Sequence, residues 1–523
     1  MYRKLKHELH LPAAEPGSPE VLVDIADNLC EGLEQFAFAR YFCDRLQYQP
    51  VAYVPGFTPR RQLLYRALGR RAAFLVSRGY RMARELGMGH GLDAALVDSR
   101  IRRTAARDTR VFFATACTKE EVLKYQLLGV KIGVSIYDSY LREALEPTVD
   151  TASPLFRRIV FEAFITLRCV AEYFEHHHVK MVVLGHCVYN NWQILSDYAR
   201  LRGAQVFVTY NSRSIPLHDV NGNRGLQTTD HSRYKQEFGA LPEAVRARGR
   251  KEGMELLRRR VGGEIDPGIS YMASSAYAGD ATAVRVAVAP DKKPVVMMLH
   301  SFFDSPHVYA AMVFPDFLEW ARETLEACRS PEFQARLEIL IKPHPNRFPA
   351  EDAVIQQILT EYPFAKLLPA ETSNNAIVSM RPACILTVYG SVAAEFSYFG
   401  VPVITCGDNP TSSFGFTFEA RSKDEYLNFL VNADMLRVTP ERVAEVGDFM
   451  FMHYLHKAPE LPGPYPFERY APHAKKKNSE RVGDFRFAEF KQLVDAKLDL
   501  LGLSTTFQGP QGAEMRASGT PGA

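Results

Sequence analysis

Short, wholly apolar runs recur along this chain, each followed by a longer amphipathic stretch, and the alternation restarts after a weak middle segment. Strands buried on both faces lose the period-2 pattern and read as continuous apolar runs, the mark of a parallel sheet covered by helices on both sides. The repetition of strand and helix therefore predicts an α/β chain built on doubly wound parallel sheets. At 523 residues the chain exceeds what one hydrophobic core usually organises, so more than one such unit is expected.

In the first half the pattern predicts an opening helix over 21–43, a strand at 51–54, a helix over 63–86 and a strand at 111–114. A long helix over 155–175, a strand at 179–184, a helix over 190–201 and a strand at 205–209 follow. Residues 262–293 dissolve into small and charged residues, the composition of a linker. The second half restarts with strands at 295–299, 337–341, 366–368, 384–388 and 401–405, and helices over 314–328, 352–362 and 392–399. The expected organisation is a first Rossmann-like unit at 1–261, a linker at 262–293 and a second Rossmann-like unit at 294–480. A C-terminal helix within 481–503 and a Gly, Pro, Ser and Thr-rich disordered tail at 504–523 complete it.

Composition narrows the function. Hydrophobic residues are 46% and charged residues 24%, and no apolar run approaches the roughly 18 residues that span a bilayer. The N-terminus is basic but lacks the apolar stretch and cleavage site of a secretory signal, so a cytoplasmic protein is expected. Lys plus Arg total 63 against 60 for Asp plus Glu, too small a surplus for a nucleic-acid binder. Local basic clusters at 60–61, 70–71, 246–250, 258–260 and 475–477 read mainly as solvated helix faces, with peripheral contact to an anionic inner-membrane surface or an acidic glycan as the other use. The 8 cysteines contain no CxxC pair, which argues against a disulfide framework and a thiolate zinc site. The run His176, His177, His178 is not expected to hold a metal, because adjacent side chains diverge.

In doubly wound sheets ligands collect beyond the carboxyl ends of the strands, so the residues just after each strand carry the functional expectation. The segment LTVYGSVAAEFSYFGVPVITCG at 386–407 ends a strand in Gly390 and Ser391 and begins a helix at once. Free amides in a first helical turn, a glycine that permits close approach and a serine hydroxyl suit a phosphate, and Glu395, one turn on, could accept hydrogen bonds from ribose hydroxyls. A plain capped helix is the competing reading. In LIKPHPNR at 340–347, prolines stiffen the loop after another strand and fix the directions of Lys342 and His344, either of which could neutralise a diphosphate. The segment LHSFFDSPH at 299–307 places His300, Ser301 and Asp304 at the mouth of the same sheet, as a binding loop or an ordinary surface loop.

This order of strand, KPHP, strand, GSxxxE helix and GVPVI resembles the C-terminal domain of bacterial GT-B enzymes. The closest likeness is to the capsular polysaccharide biosynthesis family that includes the Kdo transferases. More remotely it is similar to the CDP-glycerol glycerophosphotransferases and polysialyltransferases, and it covers about residues 295–410. The resemblance implies two Rossmann-like domains facing a cleft. It also implies that His344 and Pro345, with Asn346 beside them, contact the donor phosphate, and that Gly390, Ser391 and Glu395 form the nucleotide-binding helix start. Tyr389 departs from the small polar residue often found there. In the first half, LLGVKIGVSIYDSYLR at 127–142 and GHCVYNNW at 185–192 look like acceptor-side segments of surface-carbohydrate enzymes, which makes His186 and Asp138 the candidate general bases. For Asp138 a helix N-cap is the equal alternative. The polar segment HDVNGNR at 218–224 lacks the terminal glutamate of a calcium loop and is read as lining the acceptor side.

The implied activity is transfer of a sugar, a CMP-activated ulosonic acid such as Kdo or a relative, from a nucleotide donor to a surface-carbohydrate or glycosylated acceptor. The nucleotide-sugar is a substrate, and neither a cofactor nor a metal is expected, since basic residues and helix termini stabilise the leaving phosphate. A CDP-polyol phosphotransferase and a catalytically silent glycan-binding module of the same fold are the alternatives.

Overall fold

A computed structural model describes residues 7–11, 15, 17–25, 29–54, 78–88, 91–93, 97–209, 215–226, 230–265, 275–278, 286–345, 347–456 and 485–504. The first sheet comprises β1 (Glu20–Asp24), β2 (Gln49–Tyr53), β3 (Val179–Leu184), β4 (Gln205–Val208) and β5 (His218–Asp219). Their order across the sheet is β2-β1-β3-β4-β5, parallel except for the antiparallel edge strand β5. The helices packed with it include α1 (Leu29–Leu46), α2 (Ser99–Thr115), α3 (Ile132–Ala144), α4 (Pro154–His176) and α5 (Tyr189–Leu201). Next comes α6 (Glu243–Val261).

The second sheet comprises β6 (Lys293–Met298), β7 (Leu337–Lys342), β8 (Lys366–Leu367), β9 (Cys384–Leu386), β10 (Val403–Cys406) and β11 (Phe418–Ala420). Its order is β11-β10-β9-β6-β7-β8, with every pairing parallel. Counted from its own first strand, that is the 3-2-1-4-5-6 order of a dinucleotide-type doubly wound sheet. Its helices are α7 (Phe317–Ala327), α8 (Glu351–Glu361), α9 (Asn374–Ser379), α10 (Val392–Tyr398), α11 (Lys423–Val431) and α12 (Pro440–Tyr454), and α13 (Phe487–Leu500) closes the described chain. The chain is thus an α/β protein of two Rossmann-like doubly wound units, as its alternation predicts. Among the described residues no helix is long and apolar enough to cross a membrane.

Local chemistry explains the boundaries. Asp98, Ser153, Asp316, Ser373, Ser422 and Thr439 each accept a backbone N–H at the start of α2, α4, α7, α9, α11 and α12, satisfying a donor that the helix itself cannot. The strands β3, β6, β7, β9 and β10 lie where the apolar runs place them. Two elements differ from the sequence expectation. Residues 20–24 are not the start of a helix but the strand β1, buried at every position between β2 and β3, so no alternation marked it. The expected strand at 111–114 is the last turn of α2, whose buried Ala105, Asp108, Thr109 and Phe112 follow a helical period. Of the expected helix over 63–86, residues 78–86 fall within the described residues; Arg78–Glu85 is helical and Leu86 lies in the turn that follows. Half of the expected linker (266–274 and 279–285), the basic pairs at 60–61 and 70–71, residues 475–477 and the tail beyond Ser504 lie outside them.

The chain crosses over at both ends. Helix α6 packs on α12 through glycines: a Cβ on Gly253 would stand 2.1 Å from the Gly447 carbonyl oxygen, so only glycine permits this approach. Helix α13 instead buries Phe490, Val494 and Leu498 in the core beneath the first sheet, with Phe36, Phe38 and Phe42 of α1.

Candidate functional site

In each sheet the strand order reverses at one place, and there the carboxyl ends of adjacent strands diverge to leave a crevice. In the first sheet this lies between β1 and β3; in the second, between β6 and β9. The residues that follow these strands meet across a seam between the units, so the crevices share one polar wall.

His300, two residues beyond β6, spans the crevice of the second sheet. Its Nε2 accepts the backbone amides of Val388 (3.2 Å) and Tyr389 (3.4 Å) and lies 3.1 Å from the Thr387 hydroxyl, all just beyond β9. These donors hold Nε2 unprotonated and put the ring proton on Nδ1. The ring stacks on Phe317, 4.6 Å between centroids, and burial, aided by nearby His344, drives its pKa down to about 3. His300 therefore organises the turn that leads into Gly390 and Ser391, and a Cβ on Gly390 would come within 3.9 Å of its Cε1. Ser391 is the residue before α10 and makes no side-chain capping bond. The amides of Ala393, Ala394 and Glu395 already bond the carbonyls of Gly390 and Ser391, which leaves those of Ser391 and Val392 outside the helical ladder.

His344 sits half-buried just beyond β7, and Pro345 beside it is exposed. Burial lowers the His344 pKa, opposed by the Asp304 carboxylate and reinforced by Lys342 and Arg347, so the ring is neutral near pH 7. Asn346 lies outside the described residues. Asp304 is exposed, accepts the Ser305 amide (2.9 Å) and reaches Tyr189 of the first unit. Ser301 does not face the crevice openly: its hydroxyl donates to the buried Glu351 carboxylate at 2.6 Å, which also takes the amides of Phe302 and Phe348. That bond fixes the loop after β6 to the start of α8.

Lys342 and Glu395 need correcting as crevice residues. The Lys342 ammonium is buried and donates to Asn374 Oδ1 at 2.8 Å, and its pKa falls to about 8 through desolvation, partly restored by Glu395. Glu395, 4% exposed, pairs with Arg260 of α6 at 2.8 Å and accepts the Tyr277 hydroxyl at 3.0 Å. The reason is the crossover of α6, which brings an arginine against the inner face of α10. The Glu395 carboxylate is thus engaged within the protein, by Arg260 and Tyr277. The basic clusters of α6 are partly structural for the same reason: Arg250 bonds Asp448 in bidentate fashion at 2.7 and 2.9 Å.

In the first unit Asp24, at the end of β1, accepts the Gly185 amide (3.2 Å) and the Trp192 indole N–H (2.7 Å), bridging its crevice. His186 follows β3. Its Nδ1 accepts the amides of Cys187 (3.0 Å) and Val188 (3.2 Å), which places the proton on Nε2. Such an imidazole presents a donor and would have to surrender both amides to serve as a base through Nδ1. Tyr189, next along, has φ +66°, a left-handed conformation costly for an aromatic residue, and its hydroxyl donates to Asp304 Oδ1 across the seam at 3.2 Å. The segment after β5 also reaches the second unit, where the Leu226 amide bonds the Val308 carbonyl at 2.8 Å and Arg224 approaches Asp408 at 3.4 Å.

Asp138 is not a helix N-cap; it lies inside α3, with no exposure, and its Oδ1 is 2.5 Å from His307 Nδ1. Burial raises its pKa, and His307 opposes the shift. Asp138 Oδ2 and His307 Nε2 are buried with no hydrogen-bond partner, a state that costs about 1–3 kcal/mol per group. Beside them Tyr137 and Thr148 donate to Asp316 Oδ2 at 2.6 and 2.5 Å, latching α3 to the start of α7. Arg142, one turn beyond Asp138, lies over the Phe348 ring at 4.8 Å.

The structure thus gathers His186, Asp138, His300, Asp304 and His344 about one seam, with Gly390 against His300. Sequence reasoning did not single out His307, Tyr189 and Arg142, which the structure places at the same seam. His307 stands three residues after Asp304 in the same loop, and Arg142 at helical spacing from Asp138, so adjacency was the available signal. Among the described residues no group of three or more His, Cys, Asp or Glu side chains is placed to hold a metal ion.

No protein-family description and no curated protein sequence matches the chain. Among solved structures it is similar to the Thermosulfurimonas dismutans KpsC, a beta Kdo 2,4 transferase, with TM-score 0.30 and 15% identity over 49% of this chain and 79% of that one. It is also similar to Anabaena HepE in complex with UDP-glucose (TM-score 0.25, 10% identity, 94% of this chain and 100% of that one). A third neighbour is S. aureus MnaA bound to UDP (TM-score 0.23, 11% identity, 92% and 97%). Likeness at this level carries no argument of its own, and the fold rests on the sheet orders above.

Proposed function

We propose that the chain is a glycosyltransferase of the GT-B type, which moves a sugar from a nucleotide donor to a surface-carbohydrate or glycosylated acceptor. The observation that supports it most is the junction of the two strand-order switch points on one polar seam. One crevice can hold a donor and the other an acceptor, with reacting groups brought together between them. A CMP-activated ulosonic acid such as Kdo or a relative is the donor that the motif resemblance favours.

In this reading the second unit takes the nucleotide. The Gly390–Ser391 turn, held by His300, offers backbone amides and a hydroxyl to the phosphate, with His344 and Pro345 on the opposite side. A phosphate arriving beside a neutral, half-buried His344 raises its pKa, so the ring takes up a proton and meets the leaving group as an imidazolium. Lys342 and Glu395 support the floor of this crevice from behind. The first unit takes the acceptor, with His186 at the carboxyl end of β3 on that side.

Thermal melting with CMP, CDP, UDP and GDP, followed by product analysis with CMP-sugar, UDP-sugar and CDP-glycerol donors, tests the proposal. A nucleotide at one hundred times its Kd stabilises the fold by about 2.7 kcal/mol. Selective stabilisation by CMP and sugar transfer from a CMP-sugar are expected. Transfer of a phosphoalcohol from CDP-glycerol would replace the reading with a phosphotransferase, and nucleotide binding without turnover on any donor would replace it with a silent binding module.

A further inference from the structure

We infer that His307 is the general base of the transfer, held in the required tautomer by Asp138; the inference rests on the transferase reading above. Each half of this pair comes from a different unit. Asp138 sits within α3 of the first, and His307 in the loop after β6 of the second, 169 positions away in sequence, yet Nδ1 and Oδ1 lie 2.5 Å apart. Both side chains are at least nine-tenths buried, His307 at 9% exposure and Asp138 at none.

Which nitrogen bears the proton follows from the neighbours. A carboxylate only accepts, so Asp138 fixes hydrogen on His307 Nδ1 and leaves a lone pair on Nε2. That Nε2 is buried without a hydrogen-bond partner. Two other imidazoles at the seam are set differently: His300 Nε2 and His186 Nδ1 are occupied as acceptors of backbone amides. His307 alone of these three has an acceptor nitrogen with nothing to accept. The Tyr137 ring, edge-on at 5.2 Å between centroids, fixes the imidazole plane.

The neighbourhood agrees with a reacting centre. Asp304, three residues before His307, is hydrogen-bonded by Tyr189 and electrostatically coupled to both Asp138 and His344. Asp304 therefore lies near both Asp138, the partner of His307, and His344. When the units part to admit ligands, an acceptor hydroxyl donates to His307 Nε2. Its oxygen forms the new bond to the anomeric carbon as the bond from that carbon to the donor phosphate oxygen breaks, and the electron pair leaves on the nucleotide. His307 becomes an imidazolium paired with Asp138 and releases its proton to solvent with the products. Asp138 acts only through the histidine, as a positioning residue.

The test uses the full chain and the donor that the wild type turns over. His307→Gln, which keeps a polar side chain, is expected to lower kcat by at least about 100-fold, within the range for loss of a general base, with donor KM changed less than threefold and melting temperature retained. Asp138→Asn is expected to lower kcat by a similar factor and to displace the acidic limb of the kcat/KM pH profile. Nitrogen-15 histidine spectra of the ligand-free wild type give a readout independent of turnover: His307 should show Nδ1 protonated and Nε2 bare at pH 7.5, and Asp138→Asn should change that pattern. A His307→Gln enzyme within fivefold of wild type, or a wild-type spectrum with Nε2 protonated, overturns the assignment while leaving the transferase reading intact. A wild type inactive on every donor class overturns the transferase reading, and the catalytic role of the pair with it.

Discussion

Glu395→Gln separates a structural carboxylate from a ribose contact. The side chain is 4% exposed and its partner Arg260 comes from α6, so the substitution leaves a buried guanidinium opposite a neutral amide. Breaking a buried pair on one side costs about 3–5 kcal/mol. The amide oxygen can still accept the Tyr277 hydroxyl, which returns about 1 kcal/mol, so a net loss of about 2–4 kcal/mol is expected. If the second unit melts cooperatively, at roughly 2–4 °C per kcal/mol for a unit of about 150–250 residues, its melting temperature falls by about 4–16 °C. Lys342 responds as well. Its pKa, already down at about 8 through desolvation, loses the carboxylate that holds it up and falls further. Differential scanning calorimetry, with nucleotide affinity measured below the transition, gives both quantities. A stable variant whose nucleotide Kd has weakened tenfold would refute this reasoning, because it would place the carboxylate on the ligand.

Nucleotide affinity should strengthen as pH falls from 8 to 6, because burial depresses the free His344 pKa and a bound phosphate raises it, so binding takes up a proton; calorimetry in buffers of different ionisation enthalpy measures the uptake, and His344→Asn should reduce it. Asp316→Ala removes the cap of α7 and strands the buried Tyr137 hydroxyl, at a cost of about 2–4 kcal/mol, whereas Tyr137→Phe should cost about 1 kcal/mol; urea melts that rank them the other way would deny the latch. Stability should fall with pH below about 6.5, by up to about 1.4 kcal/mol per pH unit for His300 alone. The sign follows because its folded pKa is depressed to about 3: the unfolded chain binds the proton first, so the contribution present above 6.5 is lost as pH drops towards 3. The raised Asp138 carboxyl works in the opposite sense, and a melting temperature flat from pH 7.5 to 5 would remove the histidine argument.

The legible parts of the fold are those whose information is local. Strands β6, β7, β9 and β10 are short apolar runs closed by turn residues, and the residues after them, His300, His344, Gly390 and Ser391, inherit their position from the strand ends. Strand β1 was harder because it is buried on both faces and runs within a few residues into the apolar α1, so composition alone joined them. The strand expected at 111–114 failed for the converse reason: Val111, Phe112 and Phe113 favour strands, but only Phe112 is buried, and the helical spacing of Ala105, Asp108 and Phe112 decided the outcome.

The same contrast divides the site. A residue that follows a strand can be found from the strand, but a residue defined by its partner cannot be found until the partner is. Glu395 reads as a nucleotide contact if only α10 is considered; Arg260, far upstream on α6, turns it into half of a buried ion pair. Asp138 reads as a base or a cap from α3 alone; His307 makes it the orienting half of a pair whose remaining acceptor nitrogen has no bond in the closed seam. Both reassignments come from contacts between segments that the chain brings together only by crossing from one unit to the other. For the buried Asp138–His307 pair, the unbonded atoms are tolerable at about 1–3 kcal/mol each only because the surrounding latch of Tyr137, Thr148 and Asp316 holds the seam shut, so weakening that latch should open the pair to solvent before it unfolds either sheet.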